Sequence, residues 1–596
     1  MIGLVYDYKV LQQRVSMRRF LTKAFNFIDR FRFPKDAYFD KKYPAWFENQ
    51  RTKEPELAIQ RRHKFSNNPK LSLVVPLYKT PLNFLADMTS SVLNQTYTNF
   101  ELVLVNASPE IEELQEALKE LCVKDSRIKT ITLEDNFGIV GNTNIGIDNA
   151  TGDFVSFLDH DDYLEPDALY HFVDAINKNS EIDLLFCDED MVGEDGIYLQ
   201  PILKPGYSPD VLLCKNYVVH LLTVRKTLLD TMPRPGKEVD GAQDYNVTFF
   251  AAENARAIHH VPRVLYHWRI SATSTATNAK LDTTEEQSKP YAEEAGRHTI
   301  EKHLERTGQT GTVAFTDIKY VYNTKIDIAP KTTVSVVVDV GDKIESVDAL
   351  IGSFNAYVNY PFIHLVFVAS KEFNPRVAPV HTWETAVVDK GASQTLRLNF
   401  GAKKATGDFI LFLQGDMVFD SKSLLEDLLS AAHRKGIGAV SAKIAYADGF
   451  LKYCGFALPK KSILPLYHGV PHLHPGYLCL LSCRENFSAV PVMGMMVRKA
   501  IFDQVGGFNE EYRSMVRDID FCTKLIEAGY FLSQPTGAEV VIPDYCPLLR
   551  YSNKLNAQDF DEVEVRDFAN KNPELWVRSD PYFNTNHKQS SGYFQL

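Results

Sequence analysis

An apolar run, Phe154-Val155-Ser156-Phe157-Leu158, stops at Asp159-His160-Asp161-Asp162, three carboxylates and an imidazole with no spacer between them. Carboxylates this close raise one another's proton affinity unless a cation lies between them. Oxygen ligands of this kind suit Mg²⁺ or Mn²⁺, held by one or two side chains together with substrate phosphates. If the run is a strand of an open α/β sheet, its carboxyl end is also where ligands gather. A solvated acidic turn capping a strand needs none of this chemistry, and a bare Asp-x-Asp does not choose between the two. A second acidic group, Asp188-Glu189-Asp190, closes another apolar run, Ile182 to Cys187.

The elements that would position these groups alternate in type. Leu71 to Pro76 reads as a buried strand stopped by proline, Thr80 to Leu93 as a helix, and Phe100 to Val105 as the next strand. Glu110 to Leu121 is helical, Ile128 to Leu133 strand-like, and Gly141 to Asn149 helical again ahead of the Asp159 strand. Alternation of this kind predicts a mainly parallel sheet covered on both faces. Gly138 and Gly141 do not form a Gly-x-Gly-x-x-Gly dinucleotide fingerprint.

Composition narrows the class. A chain of 596 residues exceeds one core and predicts several domains. No run of about eighteen apolar residues occurs, and Met1 to Lys9 lacks the order of a secretion signal. Eight scattered cysteines fit a reducing cytoplasm, and a net charge of −11 excludes a general nucleic-acid binder. Residues 1–35 depart from that acidic average: eight basic side chains stand against Asp7 and Asp29, interleaved with Leu11, Val15, Leu21, Phe25, Ile28, Phe31 and Phe33. Such a helix either lies on an anionic membrane surface or docks on the main body with its charges in water. Tyr43 to Lys70 reads as a helical connector.

Several ordered blocks then carry a resemblance. Leu71 to Tyr78, Ser91-Val92-Leu93-Asn94-Gln95-Thr96-Tyr97, Phe100 to Ser108, Asn136-Phe137-Gly138-Ile139, Ala150 to Asp162, Lys204 to Asp210, Gly241-Ala242-Gln243-Asp244-Tyr245 and Leu265-Tyr266-His267-Trp268-Arg269 together resemble a family 2 glycosyltransferase. The resemblance implies a GT-A fold, a nucleotide-diphosphate sugar donor (UDP- or dTDP-linked), Mn²⁺ or Mg²⁺, and an inverting transfer. It implies Asp161 as a direct metal ligand and Asp159 as sharing the ion or holding the ribose. His267 either completes the metal shell or is a hydrogen-bonded core histidine. Asp244 matches the acidic residue that takes the acceptor proton, and could equally be an N-cap. Gln243 stands where many relatives carry Glu. Pro76, Tyr78, Asn106 and Asn136 line the expected nucleotide site, with Asn106 in place of the usual Asp. Asp188 and Glu189 face donor sugar or acceptor, or are structural.

A second copy follows. Val334 to Val338 opens a strand, and Ala405-Thr406-Gly407-Asp408-Phe409-Ile410-Leu411-Phe412-Leu413 echoes Ala150 to Leu158. Gln414-Gly415-Asp416 replaces the Asp-x-Asp, Ile542 falls where the late histidine is expected, and Asp518 matches the base position. Asp416 and Asp518 are thus the second copy's remaining site residues. His468, His472, His474, Cys479 and Cys483 contain no Cys-x-x-Cys pair, so zinc is not expected. The expected organisation is a basic helical extension (1–69), a catalytic GT-A domain (70–325), a degenerate GT-A-like domain (326–550) and a tail (551–596). The expected protein is a cytoplasmic transferase, peripheral on the inner membrane face, acting on a glycan or lipid-linked glycan. Its alternatives are a polymerase with both domains active, or a second domain that only scaffolds glycan.

Overall fold

The computed structural model describes residues 40–270, 290–342, 344–544 and 559–596. The basic run of residues 1–35 lies outside them. Two short helices, Tyr43–Gln50 and Glu54–Gln60, lead into the first sheet. Its strands are β1 (Leu71–Leu77), β2 (Phe100–Asn106), β3 (Ile128–Thr132), β4 (Phe154–Phe157), β5 (Tyr163–Leu164), β6 (Ile182–Val192), β7 (Tyr198–Ile202), β8 (Thr223–Arg225) and β9 (Ala257–Arg269). Their order is β3-β2-β1-β4-β8-β6-β9-β5, with β7 beside β6. β1 pairs parallel with β2 and β4, and β6 parallel with β9; β8 runs antiparallel between β4 and β6.

β1 does not stop at Pro76 but runs on to Leu77. Proline removes a ladder donor, yet β4 pairs with β1 only from Leu71 to Val74, so at Pro76 the strand has β2 alone as neighbour. Helix Gly138–Asn149 lies hard against β1: a Cβ on Gly146 would come 2.3 Å from Val74 Cγ1.

The second sheet repeats this plan. Its strands run in the order Thr382–Val387, Ile363–Ala369, Val334–Gly341, Phe409–Gln414, Met495–Arg498, Ile437–Ser441, Phe531–Gln534 and Glu485–Asn486. Here Gly401 takes the part of Gly146, its missing Cβ 2.4 Å from Val337 Cγ1. Both domains are thus mainly parallel α/β sheets, as the strand–helix alternation predicts.

One apolar cluster extends from Val74 and Val103 to Val336 and Phe412, so the two sheets share a core. Across their junction Arg434 Nε and Nη2 each donate to Asp210 at 2.9 Å, and Asn486 Oδ1 accepts from Ser208 Oγ at 2.7 Å. No helix among the described residues is long and apolar enough to cross a membrane.

Candidate active site

β4 delivers Asp159 at its carboxyl end, and the turn into β5 carries Asp161 and Asp162. Asp162 is fully buried; its Oδ2 accepts from Tyr266 Oη at 2.5 Å and its Oδ1 from Arg269 N at 2.8 Å. Burial, and then Asp161 and Asp159, push its carboxyl well above the usual range. Just before β8, in the apolar run Val218-Val219-His220-Leu221-Leu222, His220 enters from the other side. Its Nε2 is 3.8 Å from Asp159 Oδ2 and its Nδ1 2.9 Å from Glu189 Oε2. The ring lies on Tyr266, centroids 4.2 Å apart and planes 4° from parallel. Burial works against its charge, but Glu189 and Asp159 outweigh burial and hold the imidazolium up to about 10.

Ligand atoms of Asp159, Asp162 and His220 all lie within 4.8 Å of one another, the one such group of three among the described residues. Two carboxylates and an imidazole fit Mn²⁺ or Mg²⁺, Mn²⁺ the better for the nitrogen, provided the ion displaces the protons that Asp162 and His220 Nε2 keep without it. The Glu189–His220 pair fits as well, since a ligating histidine characteristically gives its other ring N–H to a carboxylate. The grouping differs from the one expected from sequence, Asp159 with Asp161 and His267. Asp161 lies beside it, partly buried, its carboxyl raised by burial and then by Asp159.

His267 points elsewhere. Successive side chains of a strand face opposite sides, so with Tyr266 turned to the acidic turn, His267 is turned away. Its Nδ1 is 2.6 Å from Asp190 Oδ1 and its Nε2 3.0 Å from Glu165 Oε1. Phe47 of the leading helix packs edge-on to it at 5.5 Å, and Tyr43 Oη donates to Asp190 Oδ2 at 2.6 Å. Burial opposes its charge, but Asp190 and Glu165 prevail and hold the ring up to about 9. Both nitrogens are engaged by carboxylates, so His267 is a core histidine.

Asp188 and Glu189 are also inside the protein, 0% and 2% exposed. Lys204 Nζ donates to Glu189 Oε2 at 2.9 Å and to the carbonyls of Val218 and His220 at 2.6 Å each. Asp188 accepts from Lys204 N at 2.8 Å and from Asn584 Nδ2 at 2.9 Å. Both carboxylates are taken up by protein groups: Glu189 braces the His220 loop directly, and Asp188 holds the Lys204 main chain and His260.

Asp244 is the second residue of helix Gln243–Asn254, whose N-cap is Ala242, so it does not cap that helix. Its Oδ2 accepts from Asn216 Nδ2 at 2.8 Å. Burial raises its carboxyl above the usual range, with Asp159 adding to the rise and His220 opposing it. That mutual influence places Asp244 in the same electrostatic field as the three-ligand group.

At the carboxyl ends of β1 and β2, Pro76 is half-buried and Tyr78 is 47% exposed. Leu77 pairs with Asn106, which is fully buried. Asn106 Oδ1 accepts from Ser108 N at 3.0 Å, and its Nδ2 has no hydrogen-bond partner among the described residues. Asn136 is exposed but turned inward to its own loop, its Oδ1 accepting from Gly138 N and Asn142 Nδ2 at 3.0 Å each. Gly138 there has a φ of +79°, which glycine adopts at little cost.

Among the described residues the second domain holds no equivalent group. The shared run puts Gln414 at Asp159 and Met417 at Asp162. Phe154 pairs with Arg225 and Phe409 with Arg498, so counting back along each strand puts Met493 at His220. Tyr163 pairs with His267 and Val418 with Val541, so Val541 rather than Ile542 is the counterpart of His267. Asp416 Oδ2 is 3.4 Å from Gln414 Nε2. Asp518, at the base position, is 1% exposed; its Oδ1 accepts two bonds from Arg517 at 2.9 and 2.8 Å and its Oδ2 one from Val492 N at 2.8 Å.

Comparisons with known proteins agree with this architecture. Residues 72–224 match the model of glycosyl transferase family 2. The chain is 30% identical over 78% of its length to the uncharacterized protein y4gI of Sinorhizobium fredii, of which it covers 52%. It is 28% identical over 91% of its length to the O-antigen biosynthesis protein RfbC of Myxococcus xanthus, covering 42% of that protein. It thus spans about half the length of the curated relatives it matches. A solved structure, S. aureus TarS 1–349 in complex with UDP, is 22% identical, with 40% of this chain and 72% of that one covered at a TM-score of 0.29. Residues 72–224, in the first domain, thus carry the match to glycosyl transferase family 2.

Proposed function

We propose that the chain is a glycosyltransferase that moves a sugar from a UDP- or dTDP-linked donor to a growing cell-surface glycan, with inversion, in its first domain. The observation that carries this is the convergence of Asp159, Asp162 and His220 within 4.8 Å at the end of β4. The family match supports the reaction class, and the relative named for O-antigen biosynthesis supports the product class. A lipid-linked acceptor and a place on the inner membrane face are supported by the basic, aromatic run of residues 1–35. The catalytic unit is read as residues 70–325, and residues 326–550 as a non-catalytic second unit.

In this mechanism Asp159, Asp162 and His220 would hold a divalent ion, which when bound neutralises charge on the leaving diphosphate. Glu189 keeps the His220 ring aimed at Asp159, and Lys204 balances the Glu189 charge. Asn106 offers its buried amide N–H to an acceptor on the base. Asp244, oriented by Asn216, takes the proton of the acceptor hydroxyl as that oxygen bonds to the anomeric carbon and the bond to diphosphate breaks.

Nucleotide release from a panel of UDP- and dTDP-sugars, with and without Mn²⁺, tests the reading. Release that needs Mn²⁺ and is lost in Asp159→Asn and His220→Ala is expected. Release indifferent to both substitutions would overturn it.

A further inference from the structure

Asn584 reaches the first domain from the far end of the chain. It is 5% exposed, and its Nδ2 donates to both oxygens of Asp188 at 2.9 Å and to Lys204 O at 2.8 Å. Asn586 Nδ2 adds bonds to Asp188 Oδ2 at 3.1 Å and Pro262 O at 2.9 Å. Gly206 N donates to Pro581 O at 2.8 Å, and a Cβ on Gly206 would come 2.5 Å from that oxygen. The tail therefore lies directly on the Lys204-Pro205-Gly206 turn.

From that turn the contacts lead to the site. Asp188 fixes Lys204 from the backbone side. Lys204 Nζ, fully buried, then ties the carbonyls of Val218 and His220 to Glu189, and Glu189 takes the His220 ring nitrogen. An ammonium donating three bonds in a buried place has one position; shifting its main chain shifts all three partners. The tail is also anchored away from this chain of contacts: Asp580 accepts from Leu458 N, and Tyr593 Oη donates to His468 O at 2.7 Å.

We propose that residues 581–586 are a positioning element of the active site, with Asn584 acting through Asp188 and Lys204 to fix the Val218–His220 loop and the aim of His220. This rests on the reading of His220 as part of the ion-holding group.

The test uses the full chain and two readouts: amide hydrogen exchange in residues 216–222 without ligand, and affinity for Mn²⁺ alone by paramagnetic resonance. Asn584→Ala should speed exchange in 216–222 and weaken Mn²⁺ binding about 10- to 100-fold, the usual range for partners behind a ligand. Adding Asp188→Asn should cost little more, because residues acting in one line are not additive. Tyr593→Phe, which frees the tail from His468 instead, should lower the melting temperature yet leave both readouts near native. If Asn584→Ala does not fold, Asn586→Ala is expected to show the same two changes at smaller size. Native exchange in 216–222 in the folded variant, or equal changes in Tyr593→Phe, would overturn the proposal. Should His220→Ala bind Mn²⁺ as the native chain does, the ion reading falls instead, and exchange alone decides the role of the tail.

Discussion

Tyr266 serves Asp162 and His220 at once: its hydroxyl donates to Asp162 at 2.5 Å while its ring lies flat on the imidazole at 4.2 Å. Two of the three members of the candidate ion site are thereby held by one side chain from β9. Tyr266→Phe keeps the stack and removes the hydroxyl, leaving Asp162 Oδ2 without its donor. The Mn²⁺ concentration for half-maximal nucleotide release should rise about tenfold. Tyr266→Ala, losing the ring as well, should lower release further at any Mn²⁺ concentration.

Asp244→Asn cannot accept the acceptor proton, yet the amide keeps the shape of the side chain. Sugar transfer should fall about 10²- to 10⁴-fold while donor affinity stays near native. Asp159→Asn should instead weaken Mn²⁺-dependent donor binding. The contrast, read from the rate and donor KM separately, distinguishes proton acceptor from ion ligand. Near-native transfer by Asp244→Asn would put the base elsewhere.

The two domains should respond unequally. Gln414, Met417 and Met493 stand at the places of Asp159, Asp162 and His220, and Arg517 occupies Asp518 from one side. Asp416→Asn is expected to leave donor turnover within about twofold of native, whereas Asp161→Asn, with its carboxyl beside the ion group, should reduce it severely. Comparable losses would show that the second domain turns over donor itself.

Acid should loosen the tail through His587. Burial among Tyr477, Phe583 and Phe594 pushes this imidazole down to about 4, only partly offset by Asp188. The unfolded ring takes its proton near the ordinary value of 6.5, the folded one not until about 4. The unfolded state therefore binds more protons in that window, and stability falls as pH drops from about 6.5 to about 4, by an amount on the order of 3 kcal/mol. Urea midpoints across this range should show the slope, and His587→Phe should flatten it. Equal slopes in both proteins would refute the assignment.

The sheet elements were legible because burial writes itself into periodicity. Continuous apolar runs such as Leu73 to Leu77 and Leu102 to Val105 belong to strands covered on both faces, and the echo of Ala150 to Leu158 at Ala405 to Leu413 exposes the repeat. The site was legible only in part. Asp159 and Asp244 follow from motif order. Choosing Asp162 over Asp161 depends on which carboxylate meets the Tyr266 hydroxyl. His267 looks like a ligand by its neighbours, yet strand alternation turns it to Asp190 and Glu165. His220 had one sequence signal, a polar ring inside an apolar run. Its value depends on β8 running antiparallel between β4 and β6, which no local pattern encodes. The contact of Asn584 with Asp188 left no local signal, because the two lie nearly four hundred residues apart.

The shared core changes how genetic damage to this protein should be read. With Val74 and Phe412 in one apolar cluster and Arg434 seated on Asp210, the second domain acts as an inner wall of the first. Cutting the chain between them would expose apolar surface on both halves and strand Asp210 without its cation. Lesions scattered through the second domain should therefore disturb the first as well. A second unit with no chemistry of its own would still stay under selection for its shape.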